Sequence, residues 1–332
     1  MVFLEEYMNW GIVGLGKIAN KFCDTLSFLK NEGENLVAVA SRDLDKAKEF
    51  GEKYKAEKAY GSYSDLFQDE DVDAVYISTP NNLHYQEIKE ALLKGKNVLS
   101  EKPITLKVED TRELYEIAEE KGLFLMEAYW VYFLPGAFKL REIYGEIGEI
   151  EEIELSYGFY SEGKRRERKF LSSLGGGALL DIGIYNLGIM AMLGLENPMI
   201  LGTKVMMNEY GTDKWSETKL LYNERTKVTT VDAIGEDIDR ICTIKGEKGS
   251  IYIPDFQFLT SFSTTIQGET KAYSFPLDYN GFEYEIRHVS QCVKEKRTSS
   301  PLFTSRLSLD ICRTLYRIRT LWNMKFQGVD ND

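Results

Sequence analysis

Two short stretches of the chain set proton-handling side chains where neighbouring groups could use them. Gly175-Gly176-Gly177-Ala178-Leu179-Leu180-Asp181-Ile182-Gly183-Ile184-Tyr185 places a carboxylate and a phenol four residues apart. On a helix such residues project from one face, and together they can grip a diol and pass a proton. The pair equally suits a plainer role, with Asp181 a first-turn acid favoured by the helix dipole and Tyr185 a core aromatic. Glu101-Lys102-Pro103 is the second stretch. Its lysine can bind a hydroxyl or carbonyl oxygen, and can transfer a proton if burial and nearby charge lower its pKa. Spacing alone leaves it equally a surface lysine on a turn. His84 and His288 are the only histidines. A three-histidine zinc site is therefore impossible, and a hydrolase triad would have to recruit one of the two. Proton chemistry falls to Lys, Tyr, Asp or Glu.

These residues need elements to hold them. Asn9 to Val13 has the pattern of a short buried strand and Lys17 onward that of a helix, with Gly14-Leu15-Gly16-Lys17-Ile18-Ala19 on the turn between. Gly14 permits the tight turn, Gly16 has no Cβ to hold a pyrophosphate away, and Ala19 lets the helix pack closely on the strand. The free N–H groups of the first helical turn then face the phosphates. A glycine-rich structural turn would show the same spacing, but the strand before it and the helix after it are the context a dinucleotide site requires.

Up to about Glu127 the apolar runs 36–40, 74–78, 97–100 and 124–127 alternate with helical patterns at about 17–30, 44–51, 83–94 and 107–121. That alternation predicts a doubly wound parallel sheet. Ligands bind such sheets outside the carboxyl ends of the strands. Ser41-Arg42-Asp43, Thr79-Pro80-Asn81-Asn82 and Glu101-Lys102-Pro103 all fall at such ends. Beyond about Gly148 the texture changes: 150–159 alternates with period two. A helix at about 178–193 follows, and then strand-like runs at 200–208, 217–222, 227–234, 240–245, 250–253 and 258–266. The turns at 245–249 and 267–268 suit hairpins. The expectation is a mostly antiparallel open sheet, closed by helices at about 282–296 and 305–322. The predicted division is 8–128 for dinucleotide binding and 129–330 for substrate binding and oligomerisation.

The end of the second strand bears on cofactor choice. Sheets that prefer NAD place an acid there for the ribose hydroxyls, whereas this chain has Ser41-Arg42. A hydroxyl and a guanidinium would bind a 2′-phosphate, which favours NADP, with NAD possible. Arg42 could instead be a solvated loop residue. Asp43 could be the missing acid, but is better placed to cap the helix that begins at Leu44.

The chain has 332 residues, 43% hydrophobic and 28% charged, with a formal net charge of −12. That length suffices for two domains. The charge disfavours nucleic acid or an anionic membrane as the main partner, and no apolar run is expected to reach the ~20 residues of a membrane helix. Met1 to Met8 carries Glu5 and Glu6 and no basic segment, so it is expected to be a short extension rather than a secretory signal. Cys23, Cys242, Cys292 and Cys312 lack metal-ligand spacing, and a reduced, cytoplasmic protein is expected.

Taken together, Gly11-Ile12-Val13-Gly14-Leu15-Gly16, Thr79-Pro80-Asn81-Asn82-Leu83-His84, Glu101-Lys102-Pro103 and the run from Gly175 to Tyr185 resemble the glucose–fructose oxidoreductase/inositol dehydrogenase (Gfo/Idh/MocA) family. The resemblance covers nearly the whole chain. Met126-Glu127-Ala128-Tyr129-Trp130 looks nearest the branch of dimeric dihydrodiol dehydrogenases and NADP-dependent D-xylose dehydrogenases. The resemblance implies an N-terminal Rossmann domain and a C-terminal α/β domain whose open sheet often forms a dimer interface. It implies that Lys102 contacts the nicotinamide ribose and the reacting oxygen, and that Tyr185 is the acid/base. Asp181 would bind substrate hydroxyls, and Trp130 would line the pocket. Gly14, Gly16, Lys17, Ile18, Ser41, Arg42, Thr79, Pro80, Asn81, Asn82, His84, Glu101 and Lys102 would serve the cofactor. His84 would support its loop and His288 would be structural. The Lys102–Pro103 peptide is often cis in such proteins. Tyr132 stands where this branch often has Arg. The function expected is hydride transfer between NADP(H) and a sugar, polyol or diol, with no metal required. A non-catalytic cofactor-binding regulator is one alternative. The other is an enzyme that keeps its nicotinamide bound and shuttles hydride between two sugars. Tyr157, Phe159, Trp215 and the Arg165-Arg166 pair are further candidates for the pocket or a neighbouring subunit.

Overall fold

The computed structural model describes residues 7–161 and 163–330, with the side chains of 164–167 left aside. The extension ahead of Tyr7 and the side chains of Arg165 and Arg166 lie outside the described residues. Two compact units are present. One comprises the chain up to Thr105 with Glu109–Trp130 and Asp278–Ser308, and the other Leu106–Val108, Val131–Leu277 and the chain from Leu309. The first break after the dinucleotide-binding segment thus falls at Trp130/Val131, and the segment 278–308 belongs with the first unit.

The first unit is built on a six-stranded sheet of β1 (Met8–Val13), β2 (Glu34–Ala40), β3 (Lys58–Tyr60), β4 (Ala74–Ile77), β5 (Asn97–Glu101) and β6 (Leu125–Ala128), in the order β3-β2-β1-β4-β5-β6. Every pairing is parallel. Strands buried on both faces need helices over them, and α1 (Lys17–Leu29), α2 (Leu44–Tyr54), α3 (Tyr63–Phe67), α4 (His84–Leu93) and α5 (Val108–Lys121) supply these. Val75, Ile77, Val98, Ile88 and Leu92 are fully buried between the layers. The strand order reverses between β1 and β4, which is where such a sheet opens a crevice. β3 and α3 were not anticipated. β3 is three half-buried residues with no apolar rhythm. α3 is a single short helix whose visible signal is its cap, Ser62 accepting from the N–H of Asp65 at 3.1 Å.

The second unit carries α6 (Pro135–Ile143), β7 (Ile150–Phe159), α7 (Gly163–Phe170), a π-helical turn (Leu179–Gly183) that runs into α8 (Ile184–Met192), and seven further strands. These are β8 (Met199–Met207), β9 (Asp213–Tyr222), β10 (Thr226–Ile234), β11 (Ile238–Gly246), β12 (Gly249–Ile253), β13 (Ser261–Ile266) and β14 (Glu269–Ser274). They form one eight-stranded sheet in the order β14-β13-β12-β11-β7-β10-β9-β8. Only β7 and β10 pair in parallel; the other neighbours are antiparallel. α9 (Phe282–Lys294) lies in the first unit, and α10 (Ser305–Leu321) follows it in the chain. One expectation is corrected here. The helical run Ser172–Met192 spans 21 residues and is apolar enough to match a membrane span, although 83% of its apolar window is buried inside the fold. Burial among the strands of its own unit accounts for that composition as a core element.

Candidate active site

In the first unit the glycine turn is constrained from two sides. Gly14 has φ +88°, and a Cβ there would lie 2.7 Å from the backbone nitrogen of Thr79 at the end of β4. Only glycine fits that approach. Gly16 is different: a Cβ there would meet no protein atom within 4 Å. It precedes α1 without giving it a side-chain cap, so the first-turn N–H groups have no side-chain acceptor from that position.

At the end of β2, Asp43 is committed to α2. Its Oδ1 accepts from the N–H of Asp45 at 3.0 Å and of Lys46 at 3.2 Å. Ser41 Oγ accepts from the N–H of Asp43 at 3.2 Å, and Arg42 is exposed. Behind the β4 end, Thr79 Oγ1 donates to Glu87, whose carboxyl is pushed up to about 7 by burial, against the pull of that hydrogen bond and of the Arg42 charge. His84 is fully buried, with Nδ1 2.8 Å from the Pro103 carbonyl and Nε2 3.0 Å from the Thr79 carbonyl. Burial holds the ring neutral by lowering its pKa. A neutral ring has one N–H and donates to only one of the two carbonyls; seated between both, it still keeps the loop after β4 beside the loop after β5. The Lys102–Pro103 peptide, in the second of these loops, is cis. The buried Oδ1 of Asn82 has no hydrogen-bond partner among the described residues. An open Gly16 and a helix start without a side-chain cap suit the pyrophosphate of a dinucleotide, a many-acceptor anion, and the orphaned amide oxygen can accept from one of its ribose hydroxyls.

Lys102 is half-buried amid carboxylates. Glu101 accepts from the Tyr76 hydroxyl at 2.5 Å and from the N–H of Lys102 at 3.2 Å. Glu127, 2% exposed on β6, accepts from the N–H of Ile104 at 3.0 Å and from Ser308 Oγ. Burial pushes it up to about 7 although the Lys102 charge opposes this. Two more charged groups join from distant sequence, Lys21 of α1 and Glu285 of α9, both acting on Glu101 or acted on by it. Trp130 stands beside Lys21, whose Nζ is 4.5 Å from the ring centre.

In the second unit, Asp181 sits on the π-helical turn and Tyr185 at the start of α8. The helix dipole is not the main partner of Asp181, because Lys169 of α7 forms an ion pair with its Oδ2. The Lys169 ammonium also lies 4.7 Å from the centre of the Phe159 ring. Tyr185 is 6% exposed, with the Tyr157 ring 6.3 Å away, centre to centre. Tyr157 is fixed in turn, donating to Gln257 Oε1 at 2.7 Å. The start of this helical run is held by Asp213, fully buried, whose Oδ2 accepts from the N–H of Leu179 at 2.7 Å. The glycines serve close approach within the unit. A Cβ on Gly176 would lie 2.3 Å from the Lys169 carbonyl, one on Gly177 2.2 Å from Asp213 Oδ1, and one on Gly183 2.9 Å from Asp232 Oδ2. Asn186 next to Tyr185 donates to Asp232 Oδ1, and Ser216 donates to its Oδ2 at 3.3 Å. Tyr132 is covered by Arg141, whose guanidinium lies 4.3 Å from the ring centre and donates to the Tyr132 carbonyl at 2.8 Å. Trp215 of β9 pairs across strands with Met206 and Ala233, and His288 Nε2 is 2.8 Å from Ser300 Oγ.

Sequence reasoning thus missed Lys21, Glu127 as a site residue, Glu285 and Lys169. A glutamate inside the apolar strand 124–127 and another beside the apolar face of α9 were readable warnings. Lys169 gave none, because α7 has no apolar rhythm.

Residues 8–129 match an oxidoreductase family with an NAD-binding Rossmann fold, GFO/IDH/MocA, and residues 143–252 match the C-terminal domain of that family. The trans-1,2-dihydrobenzene-1,2-diol dehydrogenase of Xenopus tropicalis is 32% identical over 307 residues, 89% of this chain and 92% of that one. The Homo sapiens enzyme of that name is also 32% identical, over 92% of this chain and 94% of its own. Among solved structures, a 3-ketoreductase from Actinomadura kijaniata in complex with NADP and TDP-benzene has a TM-score of 0.86 at 25% identity, covering 95% of this chain and 98% of that one. An aldose-aldose oxidoreductase from Caulobacter crescentus shares the fold, with a TM-score of 0.84 at 23% identity over 96% of this chain and 98% of that one. The chain therefore belongs to the Gfo/Idh/MocA family of oxidoreductases.

Proposed function

We propose that this oxidoreductase transfers a hydride between NADP(H) and a CH–OH carbon of a sugar, polyol or diol. The relatives named for a dihydrodiol and the 3-ketoreductase named with NADP support that class. The observation that carries the reading furthest is the Asp181–Tyr185 turn, where a carboxylate paired to Lys169 sits one turn from a phenol. Ser41 and Arg42, with Asp43 spent on capping α2, favour a 2′-phosphate over a bare ribose.

Gly14, Gly16, Lys17, Ile18 and the 79–84 loop would hold the dinucleotide, with Lys102 at its reacting end. When bound, that cofactor gives or takes the hydride. The rest falls to this chain. Asp181 accepts from a substrate hydroxyl while Lys169 keeps it charged and in place. Tyr185 takes the hydroxyl proton in oxidation and returns it in reduction, with Lys102 assisting at the same oxygen. Trp130 lines the substrate side. The enzyme is cytoplasmic and self-associates through the open face of its large sheet, where Met199, Leu201 and Met206 are exposed; sedimentation and cell fractionation check these two points.

The test is a screen of aldoses, polyols and trans-diols with NADP and NAD separately, following the near-ultraviolet absorbance of reduced nicotinamide. Turnover of at least one class, faster with NADP, is expected. Tight NADPH binding with no turnover of any substrate would instead identify a cofactor-binding regulator.

A further inference from the structure

Behind the Glu101–Lys102 turn lies a set of charges that none of the motifs announces. Lys21 stands on α1, its ammonium 4.1 Å from the centre of the Phe282 ring and 4.5 Å from that of Trp130. The two rings lie 5.6 Å apart, so the cation is held against two aromatic faces. The carboxylates that act on it are Glu101 from β5 and Glu283 and Glu285 from α9. Glu283 is occupied at the start of α9, accepting from the N–H groups of Tyr279, Asn280 and Gly281 at 2.8, 3.1 and 2.7 Å. Glu285 is not so occupied. It is 1% exposed, and its Oε1 has no hydrogen-bond partner among the described residues.

Glu101 and Glu285 repel each other's charge, and two buried carboxylates that do so cannot both ionise cheaply. The donors decide which one does. Glu101 receives the Tyr76 hydroxyl and the N–H of Lys102, both of which favour its charged form. Tyr76 cannot turn away, since its ring stacks on Phe22 of α1 at 3.8 Å. Glu285 has the field of Lys21 and the opposing field of Glu101. The proton therefore rests on Glu285, and the Lys21 charge supports Glu101. The remaining charges facing Glu101 are Lys102 beside it and Glu127 on β6.

We propose that Lys21 and Glu285 are positioning residues that fix the charge and place of Glu101, and through it the Lys102 turn. This rests on the role assigned to Lys102 above. The test compares Lys21→Met, Lys21→Arg and Glu285→Gln with the parent enzyme. Removing a cation raises the pKa of every ionisable neighbour, acid or base. The pH profile of kcat in Lys21→Met should therefore shift upward by about one unit, and Lys21→Arg should restore it. A uniform loss of kcat at every pH, with an unmoved profile, would overturn the proposal.

A second readout needs no substrate. Urea unfolding at pH 6 and pH 8 should show Lys21→Met losing more stability at the higher pH, where the carboxylates are asked to ionise without their cation. Glu285→Gln, which has no proton to hold, should flatten the fall in stability between pH 6 and pH 8, in the parent and in Lys21→Met alike. A Glu285→Gln variant whose stability falls with pH as steeply as that of the parent would put the proton elsewhere and overturn the proposal. If the screen finds no turnover, the proposed function fails while this cycle still decides on Lys21 and Glu285.

Discussion

Tyr185 and Asp181 are neighbours with unlike surroundings, and the difference separates what each can contribute. Tyr185 is 6% exposed and packed by Tyr157, so removing its hydroxyl leaves the ring in place and takes away only the proton carrier. Tyr185→Phe is expected to lower kcat by ~10²-fold or more, while NADPH affinity, read by fluorescence titration, stays close to that of the parent. Asp181 is half-exposed and ion-paired to Lys169. A substrate hydroxyl that approaches the carboxylate meets the ammonium as well. Lys169→Met should then raise KM for the best diol by about tenfold, the worth of one charge-assisted hydrogen bond, with a smaller change in kcat. A KM that does not move would confine Lys169 to holding α7 against the π-helical turn.

At the scale of elements, the glycine turn separates conformational need from ligand need. Gly14 is at φ +88° with the Thr79 backbone 2.7 Å from its absent Cβ, whereas the Gly16 position is open. Gly14→Ala should cost stability of about 1 kcal/mol or more as well as cofactor binding. Gly16→Ala should unfold at the parent's temperature, yet bind NADPH at least several-fold more weakly; equal binding would mean that no phosphate passes there. This turn was legible because its signal is local: strand, glycines and helix follow within a dozen residues. The parallel sheet was legible for the same reason, through runs buried on both faces. α7 was not, since Gly163–Phe170 is a run of charged residues with one apolar side chain, Phe170, at its end, and it is placed by Lys169 and the glycines after it. Nor was the junction at Glu101, which gathers Lys21 from α1 and Glu285 from α9, elements at opposite ends of the sequence. Only packing brings such residues together, and no spacing rule reports it. Asp181 and Tyr185 were placed on one helical turn by their spacing, but the carboxylate's partner came from a helix that the spacing did not show.

For the molecule as a whole, buried acids set the pH dependence of stability. Burial pushes Glu87, Glu127 and Asp213 up to about 7, and raises Asp232 and Glu285 well above the ordinary carboxylate range. Asp213 shows the sign. Its ordinary pKa is 3.8 and its folded value about 7. Below pH 4 both states hold the proton, and above 7 both have lost it. In between, the folded chain keeps a proton that the unfolded chain has released, so stability falls as pH rises. The contribution is full in acid and lost on passing upward through the folded pKa. Each such group acts on the order of 1 kcal/mol per pH unit across its window. Asp213→Asn is the discriminating change, because an amide oxygen can still accept from the N–H of Leu179 and has nothing to titrate. The variant's unfolding free energy, from urea titrations at pH 5, 6, 7 and 8, should decline less steeply than that of the parent. Parallel curves would show that Asp213 is already ionised in the folded chain and that its backbone donors outweigh its burial.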